Sequence, residues 1–316
     1  MIKRGINKTF VEVGKIKIGG KGQLTTSKTG KSFRAPVKYG HFVITTTEKD
    51  KDGNYIRDEK IMSVIGDKPK ELKMQFLFDD PDINFFTSFQ FYDGHRCQCR
   101  GDGQDATWFG TKDKPEKRPV PCDPDKCSHR KEGRCKVSGI LSCQLLDSTE
   151  AMAIYRFRTH GWNSVSGIMA ALDAIVNHPR NPKHVLAGIP LKMKLIQKST
   201  EEHGNVPVVT IVIDCENVNQ MQTLLASEYQ QRIAYGVDIK QIEQTAIKNG
   251  ILKDTDDPAD VEDEFYPPHD NIKVHGVDAD EVSKRLDIIV DAKKEKPVVP
   301  AEKKPSKNDD ETGSLL

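Results

Sequence analysis

The chain has 316 residues, of which 36% are apolar and 30% charged, and its formal net charge is +1. This length allows one or two domains with a real hydrophobic core, and the polar balance indicates a folded core carrying charged segments. A membrane-spanning helix needs roughly 18 apolar residues in a row, and the sequence has no such run. MIKRGINKTF at the start lacks the apolar stretch of a signal peptide. We therefore expect a cytoplasmic protein, in which clustered cysteines favour metal binding over disulfides.

Charge is distributed unevenly along the chain. Residues 1–50 contain eleven Lys and Arg against three Asp and Glu, whereas residues 251–270 contain one Lys against eight Asp and Glu. A basic segment attracts phosphate through counterion release, and an acidic segment competes for that surface or recruits a basic partner. The alternative is that both segments only keep the protein soluble.

The first part of the chain, residues 8–95, is rich in strand-forming residues. Residues 11–20, 35–47, 71–80 and 83–92 alternate or run apolar with many β-branched and aromatic side chains. Glycine-containing turn sequences separate them. These features predict a β-rich, antiparallel arrangement.

Residues 97–135 contain five of the seven cysteines and are otherwise dense in Gly, Pro, Asp and Lys. Such a loop has too few apolar residues for a core of its own, so a bound metal would supply its folding energy. Zinc takes four thiolates at tetrahedral corners, and a site closed by four cysteines is structural and not catalytic. The predicted zinc ligands are Cys99, Cys122, Cys127 and Cys135.

Two alternatives stay open within this segment. Cys97 is an alternative to Cys99, and His129 is an alternative to Cys127. A set of unrelated free thiols is disfavoured by the number of cysteines in so short a segment. Cys143 and Cys215 lie in apolar strand sequences, which indicates buried small apolar residues and not ligands.

Residues 140–147 and 151–159 follow as a predicted pair of strands. The pattern then changes to the helical period over residues 161–179, with Asn163 or Ser164 as the N-cap. The apolar face of this predicted helix consists of Val165, Ile168, Met169, Leu172, Ile175 and Val176.

The next two apolar runs, residues 188–200 and 205–217, predict a long antiparallel hairpin whose second strand is buried on both faces. Two short helices follow. One spans about residues 219–235, and the other begins at Asp238, which has Gln three residues later, and ends at Gly250.

From Asp254 onwards the sequence is rich in Pro and charge and has few apolar anchors. This composition predicts a disordered tail, interrupted by a short helix at residues 278–292. The predicted fold class is therefore α+β: a β-rich antiparallel core at residues 1–250, a zinc-binding loop insertion, a few helices, and a disordered acidic and charged tail at residues 251–316.

No catalytic motif is recognisable. Residues 19–22 (GGKG) lack the spacing of a phosphate-binding loop, and the metalloprotease and serine-hydrolase signatures are absent. No nucleophile or carboxylate can be assigned to His160. We expect a protein that is not an enzyme and takes no small-molecule substrate.

The order of several motifs resembles a known family. CRGDGQDA at Cys99–Ala106, the cysteine-containing Pro121–Lys136 and THGWNSV at Thr159–Val165, followed by a helix, resemble the phage recombination directionality factor-like proteins over about residues 8–215. The spacing between Cys122 and Cys127 is wider than the tight cysteine pair of that family.

The resemblance implies a phage or prophage accessory protein in the cytoplasm of a bacterial host cell. Such a protein binds a large serine integrase on DNA and favours excision over integration without cutting DNA itself. It would reach DNA indirectly or through a basic surface. The zinc loop and the helix at residues 164–177 are candidate contact surfaces.

The alternative function is a zinc-containing single-stranded-DNA-binding or replication protein. Its basic front would contact phosphate, interleaved aromatic rings would stack on bases, and the acidic stretch 256–264 with Phe265 and Tyr266 would recruit a partner. A second interpretation of the same rings is that they are core residues of alternating strands. They are Phe76, Phe78, Phe85, Phe86, Phe89, Phe91 and Tyr92.

Overall fold

The computed structural model describes residues 11–26, 32–93, 95–111, 113–200 and 204–266. The strands are Glu12–Thr26 (β1), Ser32–Lys49 (β2), Tyr55–Arg57 (β3), Glu71–Gln75 (β4), Phe85–Tyr92 (β5), Cys97–Gly101 (β6), Asp105–Gly110 (β7), Pro115–Pro121 (β8), Cys135–Leu145 (β9), Ile154–Thr159 (β10), Leu191–Thr200 (β11) and Gly204–Ile213 (β12). The helices are Glu59–Ile65 (α1), Pro81–Asn84 (α2), Ser128–Lys131 (α3), Trp162–Val176 (α4), Val218–Ala234 (α5), Ile239–Lys248 (α6) and Pro258–Phe265 (α7). Within these ranges no helix is long and apolar enough to cross a membrane.

One continuous sheet organises the molecule. Its main path runs β3-β2-β1-β10-β9-β5-β6-β7-β8. β1 and β10 pair in parallel, with Ile16 beside Phe157, whereas the other neighbours on this path are antiparallel. The sheet is therefore mixed, and the prediction of an antiparallel core was wrong at this pair, because strand alternation in the sequence carries no information about pairing direction.

A second branch leaves the sheet at β9, whose end pairs with β4. β4 pairs with β11, and β11 forms the predicted long hairpin with β12. The hairpin is confirmed, and burial of β12 on both faces is confirmed for only part of the strand. Val209 and Ile211 are buried on one face, and on the other face Val208 is buried whereas Val212 is exposed.

The predicted helix is α4, and its start lies slightly earlier than expected. Gly161 is the N-cap, and neither Asn163 nor Ser164 has that position. The Ser164 hydroxyl instead accepts a hydrogen bond from the Val209 backbone N–H at 3.1 Å, which ties α4 to β12. Met169, predicted on the apolar face, is exposed. The buried apolar residues of this face are Val165, Ile168, Leu172 and Ile175.

α5 and α6 confirm the two predicted short helices. The Asp238 carboxylate accepts from the Gln241 backbone N–H at 3.0 Å, so the predicted cap of α6 is present. Asn217 caps α5 in the same way by accepting from two backbone N–H groups of its first turn. In both helices a short polar side chain satisfies donors that have no partner inside the helix.

Side chains alternate across the strands, so the sheet has one apolar and one polar face. On the apolar face Ile16, Leu141 and Phe157 belong to a core that also includes residues of α4 and of both branches. Of the aromatic rings considered for base stacking, Phe76 and Phe85 are buried in this core, and Phe86 and Phe89 are partly buried. Phe78, Phe91 and Tyr92 are buried outside this core. The core interpretation is therefore correct for the buried phenylalanine rings, whereas Tyr92 packs against Val261 and Tyr266 and not in this core.

Residues 97–135 extend the main sheet. They form the meander β6-β7-β8 next to β5, followed by α3 and the start of β9. The prediction of a loop-like insertion was wrong because its strands are short and interrupted by Gly and Pro, which weakens the alternation signal.

Residues 251–266 are folded, although the sequence predicted disorder there. They cross the polar face of the main sheet, and α7 packs against β1 and β2. Side chains of the sheet, which the local composition does not reveal, compensate the acidic charge of this segment. The prediction was therefore wrong for residues 251–266. The rest of the predicted tail, residues 267–316 with the helix at 278–292, lies outside the described residues.

Candidate functional site

Strand pairing brings two of the predicted ligands to one face of the sheet. Phe91 of β5 lies between Cys99 of β6 and Cys135 of β9 in the ladder. Directly paired residues point to the same face, so both thiols lie on the side of the Phe91 ring. The pairing of β6 and β9 with β5 thus brings Cys99 and Cys135 close together in space, although they are far apart in sequence.

The CRGDGQD motif forms the tight turn between β6 and β7. The Asp102 carboxylate accepts from the backbone N–H groups of Gln104 and Asp105, each at 2.8 Å. Gly103 has φ +104°, in the region that favours glycine. These hydrogen bonds lower the pKa of Asp102, since they stabilise its charged form.

Position 101 in the same motif requires glycine, because neighbouring atoms lie too close to its Cα to leave room for a side chain. A Cβ atom at this position would lie 2.6 Å from Cys122 Sγ and 2.7 Å from the Ala106 Cβ atom. The Cys122 thiol therefore packs directly against the backbone of β6. The Cys127 backbone N–H donates to the Asp123 carbonyl at 2.8 Å, which folds the connection so that Cys127 immediately precedes α3.

The four predicted ligand thiols affect one another electrostatically. The pKa of Cys135 is raised to about 12, mainly by burial and then by Cys127, Cys99 and Cys122 in that order. Burial raises the pKa of Cys99 to about 11, with contributions from Cys122, Cys97 and Cys127. Neighbouring thiolates repel each other, so a divalent cation at their centre would relieve that repulsion.

The fold thus gathers the predicted ligands without completing a metal centre. All four cysteines are free thiols. Among the residues that the structure describes, no group of three or more His, Cys, Asp or Glu side chains is arranged to hold a metal ion. The donor set suits zinc chemically, and zinc binding by Cys99, Cys122, Cys127 and Cys135 stays a prediction.

The two alternative ligands have other surroundings. The β5–β6 ladder shifts register so that Cys97 pairs with Tyr92, and Cys97 packs in a cluster with Val261 and Tyr266. The His129 ring stacks on Phe91 at 4.3 Å between centroids, and its Nδ1 lies 3.1 Å from an Arg134 nitrogen.

Of the remaining two cysteines, Cys143 is a buried strand residue as predicted, whereas Cys215 lies just beyond the end of β12. Cys143 is fully buried in the core, and Cys215 packs partly buried against it.

An exposed aromatic surface joins the cysteine segment to α4. The Arg130 guanidinium of α3 lies 5.6 Å from the Phe89 ring centroid and 5.6 Å from that of Trp162, the first residue of α4. Trp162 is 58% exposed, and Met169, two turns along α4, is 44% exposed. α3 and α4 therefore present Arg, Trp and Met side chains on one accessible surface.

The polar face of the main sheet is a second candidate site, and sequence reasoning missed it. Lys15 and Lys17 of β1 and Arg156 and Arg158 of β10 lie here. The signal was present in the alternating K-I-K and R-F-R sequences, where each apolar residue points into the core. The name basic face is used for Lys15, Lys17, Lys49, Arg100, Lys136, Arg156 and Arg158.

The comparison with known families identifies the relationship. The family model described as "Gp3-like: Recombination directionality factor-like" matches residues 13–216, more than half of the chain. The chain belongs to this family. No curated protein matches the sequence. The resemblance inferred from the CRGDGQDA, cysteine and THGWNSV motifs is confirmed.

The part of this recombination directionality factor-like protein that matches the family runs from β1 to just beyond β12. It includes the cysteine segment, the exposed surface of α3 and α4, and the whole basic face. α5, α6 and residues 251–266 lie after the matched region.

Proposed function

We propose that the protein is a phage or prophage recombination directionality factor that binds a large serine integrase and favours excision over integration. The single observation that carries the proposal is the family match over residues 13–216, which contains the sheet, the cysteine segment and α4. In this proposal the protein has no chemistry of its own and acts in the cytoplasm of the bacterial host.

The physical mechanism is a shift of population. A partner that binds one synaptic arrangement of the integrase more tightly than another favours that arrangement by the difference in binding free energy. The factor then changes the direction of recombination while the integrase performs all strand chemistry.

The surface of α3 and α4 is the proposed integrase contact. Trp, Met and Arg are enriched in the cores of protein interfaces, and Trp and Arg dominate binding hot spots. Arg130 and Trp162 contact each other, so the cysteine segment and α4 act as one surface. A structural zinc ion at Cys99, Cys122, Cys127 and Cys135 would fix α3 and thereby hold Arg130 in place.

Trp162→Ala tests this proposal. The full-length variant should keep the wild-type unfolding transition, since Trp162 is mostly exposed, but should bind purified integrase at least about tenfold more weakly, as expected for loss of a hot-spot ring. Binding is measured by surface plasmon resonance, and excision is scored on a plasmid carrying the two attachment sites.

Tyr235→Ala is the matched control, because Tyr235 is 81% exposed at the end of α5, outside the matched region. Equal integrase binding by wild type and both variants would exclude the α3–α4 surface. Failure of the wild-type protein to bind the integrase or to stimulate excision would overturn the proposed function.

A further inference from the structure

The basic face lies beneath the protein's own acidic segment. The name acidic strap is used for residues 254–266. Asp254 binds Arg158 and accepts from Arg100 at 2.9 Å, and Asp256 binds Lys15 and accepts from Arg158 at 2.6 Å. Carboxylates of the strap therefore pair with Arg100, Arg158 and Lys15, and Lys15 also pairs with Glu12 of β1 at 2.6 Å.

The same pairing continues along α7. Glu264 lies 2.5 Å from Lys17 Nζ, and Asp260 lies 2.6 Å from Lys49 Nζ. The Lys136 ammonium donates to the Phe265 carbonyl at 2.7 Å. The strap thus runs along the basic face from β6 to β2 and places carboxylate or carbonyl oxygens beside its cations.

Two aromatic rings of the strap pack against His160, which follows β10, and Tyr92 of β5. The Phe265 ring stacks on His160 at 4.2 Å between centroids, and the Tyr266 ring lies 5.1 Å from that of Tyr92. Both ring nitrogens of His160 are buried without a hydrogen-bond partner. The imidazole therefore has unused donor and acceptor capacity on the surface that the strap covers.

The strap is held mainly by ion pairs. Its apolar contribution is the small cluster of Val261, Phe265 and Tyr266 with Tyr92 and Cys97. Burying ion pairs costs desolvation free energy that offsets most of their attraction. A segment docked in this way opens more readily than an apolar core element, and another polyanion can replace it.

We propose that the basic face is a binding surface for single-stranded nucleic acid and that the acidic strap occupies it in the resting protein. Carboxylates of the strap lie where phosphates would bind, and its two rings lie where unpaired bases would stack on His160 and Tyr92. A nucleic acid must displace the strap, so the observed affinity is reduced by the fraction of molecules in which the strap is open. A single strand fits better than a duplex because only unpaired bases offer their faces for stacking.

The test compares two full-length variants with the same change in charge. Asp254→Asn/Asp256→Asn/Glu264→Gln weakens the strap, whereas Asp52→Asn/Glu150→Gln/Glu216→Gln removes three exposed carboxylates elsewhere. Anisotropy titrations use labelled oligo(dT) and oligo(U) of about 30 nucleotides, and a duplex of equal length. We expect the strap variant to bind a single strand about tenfold or more tightly than the control does.

Addition of Lys17→Ala/Lys49→Ala to the strap variant should abolish most of that gain. Equal affinity of strap variant and control, preference for the duplex, or a gain that survives removal of these two lysines would overturn the proposal. Preferential binding of poly-Glu would also overturn it and would indicate an acidic protein as the occupant.

Hydrogen exchange on the wild-type protein gives a second measurement that does not depend on the folding of a variant. Saturating oligo(dT) at low salt should increase amide exchange in α7 while β9 and β10 keep their protection. Unchanged protection of α7 in the presence of the oligonucleotide would overturn the displacement.

Discussion

A side chain at position 101 would collide with the Cys122 thiol, so this glycine controls the geometry of the cysteine segment. The neighbouring Asp102 and Gly103 form the turn, and together these residues explain in physical terms why the motif contains two glycines around an aspartate. Sequence reasoning predicted a zinc site from the density of cysteines in residues 97–135. It did not predict the reason for Gly101, because that reason is a contact with a residue on another strand.

Gly101→Ala should therefore lower zinc content without disturbing the core. The added methyl group displaces Cys122 Sγ from β6, since the Cβ would lie only 2.6 Å from it. Metal is measured by atomic emission on protein purified without chelator, and we expect less than half of the wild-type zinc per chain, as for loss of one of four ligands.

Gly133→Ala is the control, since a Cβ there meets no atom within 4 Å, although its φ of +72° costs about 1 kcal/mol or more of local strain. Wild-type zinc content in Gly101→Ala would contradict the role of Cys122 as a ligand. Absence of zinc from the wild-type protein itself would contradict the whole ligand set.

At the scale of elements, the acidic strap differs most from expectation. A composition rich in Asp and Glu and poor in apolar residues predicts disorder because it offers too little burial to offset chain entropy. Residues 254–266 nevertheless fold, since Arg158, Lys15 and Lys17 from distant strands compensate their charge. The cysteine meander was missed for a related reason, because β5 and β9 supply its order.

Two truncated chains test how much the acidic strap contributes to the stability of the fold. A chain ending at residue 253 loses the ion pairs of Asp254 and Asp256 and the burial of Val261 and Tyr266, so its midpoint of thermal unfolding should fall by roughly 5–10 °C, corresponding to a few kcal/mol. A chain ending at Tyr266 keeps every strap contact described above and should unfold like the full-length protein. Equal midpoints for both truncations, measured by calorimetry, would show that the strap adds no stability.

At the scale of the whole molecule, the two faces of the sheet have different roles. The apolar face joins both branches and α4 into one core, whereas the polar face carries buried cations. Burial lowers the pKa of Arg158 but Asp254 and Asp256 outweigh it, so the net pKa is raised. Burial raises the pKa of Asp256, but Arg158 and Lys15 outweigh it and the pKa lies well below its ordinary range.

These shifts predict how stability depends on pH. Burial, with Arg158 and Lys136 nearby, lowers the pKa of His160 well below its ordinary value of 6.5, so the folded protein favours the neutral ring. The unfolded chain binds a proton first as pH falls, and stability is lost below pH 6.5 with a slope of up to about 1.4 kcal/mol per pH unit. Asp256, whose pKa is lowered, stabilises the fold above its ordinary value of 3.8 and loses that contribution as pH falls below it.

His160→Phe should remove the contribution of His160 to the loss of stability below pH 6.5. The loss below pH 3.8, which comes from Asp256, should remain. The ring still stacks on Phe265 but does not titrate, while His41 and His129, whose pKa values burial also lowers, keep a smaller dependence. The free energy of unfolding of the variant and of wild type is measured in urea at roughly pH 7.5, 5.5 and 3.5, which covers the pH ranges in which His160 and Asp256 act. Parallel pH profiles would exclude His160 as the source.

The sequence by itself determined the local features of this protein. Strand alternation, the helical period of α4, the Asp238 cap, the hairpin and the family motifs each depend on residues close together in the chain, so they are readable without the fold. The tertiary structure alone decided the parallel pairing of β1 with β10, the approach of Cys122 to Gly101, and the docking of residues 254–266. Each of these depends on residues far apart in sequence, and a charge or a thiol acquires its partner only when the sheet brings the two together.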